Sequence, residues 1–190
     1  MKCYIKDYPR PQFMRTDWEN LNGTWDFGFD DENAGEKKKW YQEFKGDETR
    51  HDFIWYHRTI NVDGVKLENN RYILHFEGSD FITKVWVNDA YAGSHRGGYA
   101  RCSFDVTNLV HDGENELTVK VEDSFDTQQP RGKQRWINEN FGCWYVQTTG
   151  IWKTVWSEYV PKISLASVKM TPDLQNAALK LEYEVAAAEK

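Results

Sequence analysis

Apolar side chains recur at every second position in several separate stretches of this chain, and that period excludes a helical fold. Thr83, Val85 and Val87 fall on one side of a strand, with Lys84, Trp86 and Asn88 on the other. Cys102, Phe104 and Val106 alternate with Ser103 and Asp105, and Leu117, Val119 and Val121 alternate with Thr118 and Lys120. Tyr72, Leu74 and Phe76 repeat the spacing, as do Trp25, Phe27 and Phe29. Successive side chains of a strand point to opposite faces, so each stretch predicts a strand with one face on a core.

Turn residues separate the stretches. Asp63-Gly64 ends the run 53–62, Asn88-Asp89 leads into a short return strand at Tyr91–Gly93, and His111-Asp112-Gly113 closes a single helical turn at Thr107–Val110. Asp17–Asn20 is read as one more helical turn, and residues 30–50 as a long polar surface loop. The run 150–159 predicts a strand in which Ile151, Lys153 and Val155 alternate with Trp152, Thr154 and Trp156. Many short strands with almost no helix predict an all-β sandwich or barrel. Leu74, Phe76, Val85, Val87, Phe104, Leu117, Val119 and Val121 are its expected core.

Composition narrows the partners. Lys and Arg number 24 against 30 Asp and Glu, a net charge of −6, so the basic stripe a nucleic-acid binder needs is missing. The cluster Lys37-Lys38-Lys39 lies between Glu36 and Glu43 and reads as a solvated turn. No stretch approaches the roughly 18 apolar residues of a membrane span. Three cysteines at wide spacing (Cys3, Cys102 and Cys143) suit neither a disulfide framework nor a zinc site, and the histidines show no metal-ligand pairing. Free thiols and an N-terminus without an apolar run predict a cytoplasmic location. No metal or cofactor is expected.

The connection 124–149 is long for a compact domain, and such loops are usually functional. It carries Asp126, Arg131, Lys133, Gln134, Trp136 and Trp144. After Pro161 the pattern restarts with "KISLASVKM", a turn at Thr171-Pro172-Asp173, and "AALKLEYEV". This predicts a first domain at 1–161 and the opening strands of a second at 162–190.

Several motifs, in order, resemble the N-terminal sugar-binding domain of glycoside hydrolase family 2, which includes β-galactosidases, β-glucuronidases and β-mannosidases. They are "LNGTWDF", "WYHRTINV", "LHFEGSDFITKVWVNDAYAGSHRGGYARCSFDVT", "QPRGKQRW" and "TTGIWKTVWSE". The resemblance covers about residues 10–160. It implies a jelly-roll, galactose-binding-domain-like sandwich, followed by the first strands of an immunoglobulin-like domain. It also implies a longer parent: a retaining β-glycosidase whose downstream (β/α)8 barrel carries both catalytic carboxyl groups. No catalytic residue is therefore assigned to this chain, and its expected partners are a β-glycoside and the downstream domains.

The resemblance further places Asp126 at the substrate rim, where a carboxylate accepts hydrogen bonds from adjacent sugar hydroxyls; the plain alternative is a turn aspartate. Arg131, Lys133 and Gln134 either reach the sugar or pin the loop. Trp136 and Trp144 either stack on a pyranose or pack. Gln147 stands where this branch commonly carries arginine, which weakens an ion-pair role there. Trp86 and Tyr99 are expected to pack the sandwich, with His95 and Arg96 on a turn and Gly97-Gly98 in a backbone setting that a β-carbon would hinder. Two other readings remain: a free-standing carbohydrate-binding module, and a structural interaction domain ordering a homo-oligomeric parent.

Overall fold

A computed structural model describes residues 8–30, 32–39, 52–124, 128–137, 141–145 and 148–187. Two antiparallel sheets face each other. One joins β1 (Trp18–Asn20), β4 (Asn70–Phe76), β8 (Cys102–Asp105) and β11 (Val155–Pro161) in the order β1-β11-β4-β8. The other joins β2 (Asp26–Phe29), β3 (Phe53–Val62), β6 (Ile82–Val87), β7 (Ala90–Arg96) and β9 (Gly113–Glu122) in the order β2-β3-β9-β6-β7. This is the expected jelly-roll sandwich. All eight predicted core side chains lie between the sheets, joined by Leu21, Ile60, Val62, Tyr72 and Val155. Asn88 and Asp89 take φ of 48° and 67°, so the β6–β7 hairpin turns through two left-handed residues, the twist that suits a tight hairpin.

Part of each outer face is also covered. On the five-stranded sheet, Trp55 stacks on Trp86 with centroids 5.4 Å apart, and Lys120 lies fully buried beside them. The Lys120 ammonium donates to Asn33 Oδ1 at 2.5 Å and Glu36 Oε1 at 2.9 Å. The described part of the 30–50 segment is therefore more than a solvated loop: Asp30 is buried and accepts from Ala34 N, Gly35 N and the Trp55 indole. Lys37, Lys38 and Lys39 are exposed, as expected.

Local geometry departs from the sequence reading where backbone partners override it. Trp18–Asn20 is an edge strand on β11, not a helical turn, and the Trp18 ring packs edge-on against Trp156. Beyond Asp63-Gly64 lies a short helix, α1 (Gly64–Asn69), capped by Asp63 Oδ1, which accepts from Val65 N and Lys66 N. The run 150–159 is broken: β10 (Gly150–Ile151) pairs with β5 (Ser79–Asp80), and β11 begins only at Val155. Between them Trp152 N and Lys153 N both donate to Gly78 O, which curls the chain. His95 and Arg96 belong to β7 rather than to a turn. Trp86 is 6% exposed and packs as expected, but Tyr99 is 51% exposed. Gly98 sits so close to Asp80 that a β-carbon would lie 2.3 Å from its Oδ1.

A second unit follows, the hairpin of β12 (Ile163–Asp173) and β13 (Ala178–Ala187). Its turn lies at 174–177, with Thr171-Pro172-Asp173 inside β12; the Asp173 carboxylate accepts from Asn176 N and Asn176 Nδ2 and fixes the reversal. Arg10 and Arg15 donate to the carbonyls of Ala166 and Leu165, which ties the hairpin to the four-stranded sheet.

Candidate functional site

The connection after β9 is anchored by a carboxylate that the sequence reading passed over. Asp123, 6% exposed, accepts from Gln129 Nε2 at 2.5 Å and from Thr149 Oγ1 at 2.9 Å. Gln129 and Thr149 lie near the two ends of the connection, so one side chain clasps both limbs. A second buried carboxylate, Asp80, accepts from Gln134 Nε2 at 2.9 Å, while Gln134 Oε1 accepts from Thr148 N at 2.8 Å. Burial raises the Asp80 carboxyl above its ordinary range; the Gln134 hydrogen bond opposes this and the nearby Asp123 charge adds to it.

Arg131 is 8% exposed, its Nη1 donating to Ser124 O and lying 3.7 Å from Asp123 Oδ1. Its Nε and Nη2 are buried and find no hydrogen-bond partner among the described residues. In this chain the Arg131 contacts pin the loop to the sandwich. The limbs also pair through backbone, with Arg135 N donating to Tyr145 O and Tyr145 N to Lys133 O, both at 2.7 Å. Lys133 is exposed, and its side chain edges a groove of about 160 Å³ with Tyr99, Tyr145 and Trp152.

Trp136 and Trp144 meet at a centroid distance of 4.6 Å, and Phe141 lies 5.0 Å from Trp136. Packing one on another gives these rings a surface within the loop itself, and Trp136 remains 39% exposed. Both tryptophans border a groove of about 380 Å³ that also touches Arg131 and Gln134. The structure thus gathers Arg131, Lys133, Trp136 and Trp144 at one end of the sandwich. Asp126 and Gln147 lie outside the described residues. Sequence reasoning missed Asp80, Asp123 and Trp152. Asp123 read as the last residue of a strand and Trp152 as a strand residue, and only the break in that strand turns its indole outward. Aromatic faces, an exposed ammonium and side-chain amides suit binding of a polyhydroxylated ligand. Asp80 and Asp123 are engaged in holding the loop.

Comparison with known proteins bears on what such a loop serves. The family profile described as "Glycosyl hydrolases family 2, sugar binding domain" matches residues 43–157. A β-galactosidase of Thermoanaerobacter pseudethanolicus is 28% identical over 192 residues, covering 93% of this chain and 24% of the relative. A β-glucuronidase of Paenibacillus borealis is 26% identical over 141 residues, covering 64% of this chain and 23% of the relative. Among solved structures, the β-glucuronidase of Ruminococcus gnavus superposes with a TM-score of 0.72 at 18% identity, over 91% of this chain and 34% of that one. This last likeness concerns the fold. The chain spans about a quarter of the length of the two curated relatives.

Proposed function

We infer the function from one premise: this chain belongs to the glycosyl hydrolases of family 2, as their sugar-binding domain. We propose that it is the N-terminal accessory domain of a longer β-glycosidase of the β-galactosidase or β-glucuronidase kind. Both catalytic carboxyl groups would lie downstream, in a barrel, and act by the retaining double displacement. The domain's part is to hold the 124–149 loop as a piece of the substrate rim and to give the barrel a packing surface. The observation that carries this reading is the anchoring of the loop by Asp123 and Asp80, with Lys133 and Trp136 left exposed. A loop held from below by two buried carboxylates keeps its outward groups in register at little entropic cost. Asp126, Lys133, Trp136 and Trp144 are the proposed contact residues, and Arg131 holds them in place.

The hairpin supports a second domain. Leu179, Leu181, Tyr183 and Val185 of β13 share one face with Leu165 and Met170 of β12, and all six are exposed in this chain. Lys169, Glu182 and Glu184 occupy the other face. A hairpin apolar on one side needs a facing sheet, and we assign that sheet to the rest of an immunoglobulin-like domain.

Nitrophenyl β-galactoside, β-glucuronide and β-mannoside test the assignment. The 190-residue chain should leave all three intact, and the coding sequence past Lys190 should continue into a barrel with paired glutamates. Turnover by the purified 190-residue chain, or a reading frame that ends near Lys190, would overturn it.

A further inference from the structure

Trp152 walls two concavities. One is the small groove it shares with Lys133. The other is an open cleft of about 710 Å³ edged by Asn22, Trp25, Tyr56, Glu77 and Lys153, none of which belongs to the 124–149 loop. That volume falls in the range of roughly 300–1,000 Å³ typical of small-molecule sites. The indole of Trp152 is 44% exposed yet fixed in place. Its Nε1 donates to Gly98 O at 2.8 Å, and its ring lies so close over Gly78 that a β-carbon there would meet Cε2 at 2.9 Å. An aromatic face held like this needs no ordering when a ligand stacks on it.

Polar groups surround the aromatic walls with unused capacity. Lys153 Nζ rests 4.5 Å from the centroid of the Trp152 ring and has no carboxylate partner among the described residues. Glu77 Oε1 accepts from the Trp156 indole at 2.8 Å and forms an ion pair with Arg101 Nε at 2.8 Å, and its half-buried carboxylate edges the cleft. The Tyr56 hydroxyl accepts from Ile151 N at 3.2 Å, and its own proton has no acceptor among the described residues. We propose that this cleft binds a hexopyranose ring, at a site separate from the rim loop. The apolar C–H face of the sugar would stack on Trp152, and its hydroxyls would meet Lys153, Glu77 and Tyr56. A purely apolar ligand would leave those groups unpaired, and a simple anion would make no use of the indole. Lys153 is exposed and can swing off the ring to take up a hydroxyl.

The test uses the 190-residue chain labelled with ¹⁵N and titrated with methyl β-D-galactopyranoside, methyl β-D-glucopyranoside or methyl β-D-glucuronide, with glycerol as an acyclic control. At least one glycoside should shift the Trp152 indole N–H and the amides of residues 151–155 saturably. Trp152→Leu should weaken that binding about tenfold, the scale of one lost aromatic contact. Lys153→Met, an exposed change that leaves folding alone, should weaken it a few-fold. Shifts that never saturate, or that glycerol reproduces, would overturn the proposal. So would saturable shifts confined to Trp136 and Trp144, which would put the sugar on the rim instead. The catalytic contribution of the rim is read from kinetics in the longer enzyme, so either reading can fail without the other.

Discussion

Glu158 is 1% exposed, and its carboxylate serves three partner residues. Its carboxylate accepts from Tyr8, from Arg15 Nη1 at 3.0 Å and from His75 Nε2 at 3.1 Å. Burial alone would raise its pKa; the His75 and Tyr8 hydrogen bonds and the Arg15 charge outweigh that and hold it below its ordinary value. His75, stacked on Trp156 at 3.9 Å, is depressed chiefly by burial, with the Arg10 and Arg101 charges adding to it and Glu158 opposing. Its Nδ1 contacts Ser103 Oγ at 2.6 Å, so a neutral ring that donates from Nε2 satisfies both neighbours. For both groups the unfolded chain binds protons more readily than the folded one, so stability rises with pH. The His75 share is lost as pH falls below its unfolded pKa of about 6.5, and the Glu158 share as pH falls below about 4.3. Melting temperatures should fall from pH 7 to pH 5, and His75→Gln should flatten that limb; a melting temperature that holds or rises on acidification would contradict the network. The thiols give a second check at this scale. Burial pushes Cys102 up to about 11, while Cys143 is free and exposed. A disulfide-exchange reagent should modify Cys143 at once in the folded protein and reach Cys102 only on unfolding.

Between elements the contrast lies between strands paired on both sides and a loop paired to itself. β9 runs between β3 and β6 over most of its length, whereas among the described residues the limbs of the loop form a single β-bridge, Gln134 with Tyr145, and are otherwise joined by side chains. Amide exchange should therefore be slowest at Val119 and faster by orders of magnitude at Arg135 and Tyr145. Equal protection would mean that the loop is part of the rigid sandwich. Gly98→Ala should loosen the loop further, because the new methyl displaces Asp80, which holds Gln134; faster exchange at Tyr145 with β9 unchanged is the expected reading. The same contrast explains what the sequence made legible. Period-two runs such as 115–121 show their buried face directly, because one side must be apolar. Asp123 and Asp80 gave no such signal. Their partners Gln129, Thr149 and Gln134 are polar residues brought near only by the turns of the loop. The strand at Trp18 and the break at Trp152 depended on β11 and Gly78, which are likewise distant in sequence. Of the proposed contact residues, Lys133, Trp136 and Trp144 were readable by type and loop position, but Trp152 was not, since a tryptophan in an alternating run reads as strand packing.

At the scale of the whole molecule, the described residues form a sandwich with its own buried core, carrying the 124–149 loop and, after it, a hairpin that is largely exposed. Among the described residues the sandwich buries its core between its two sheets, while the apolar face of the hairpin and Trp136 of the loop stay exposed. That asymmetry fits the proposed accessory role in a longer glycosidase: a scaffold with its own core and two exposed surfaces that neighbouring domains would cover. The most direct test pairs kinetics with melting in the longer enzyme that contains this chain. Asp126→Ala and Trp136→Ala should each lower kcat/KM by about one to two decades, the scale of roughly 1.5–3 kcal/mol for lost charge-assisted hydrogen bonds or stacking, with the melting temperature nearly unchanged. Full activity in both variants on every accepted glycoside would contradict the account and leave the loop a purely structural feature.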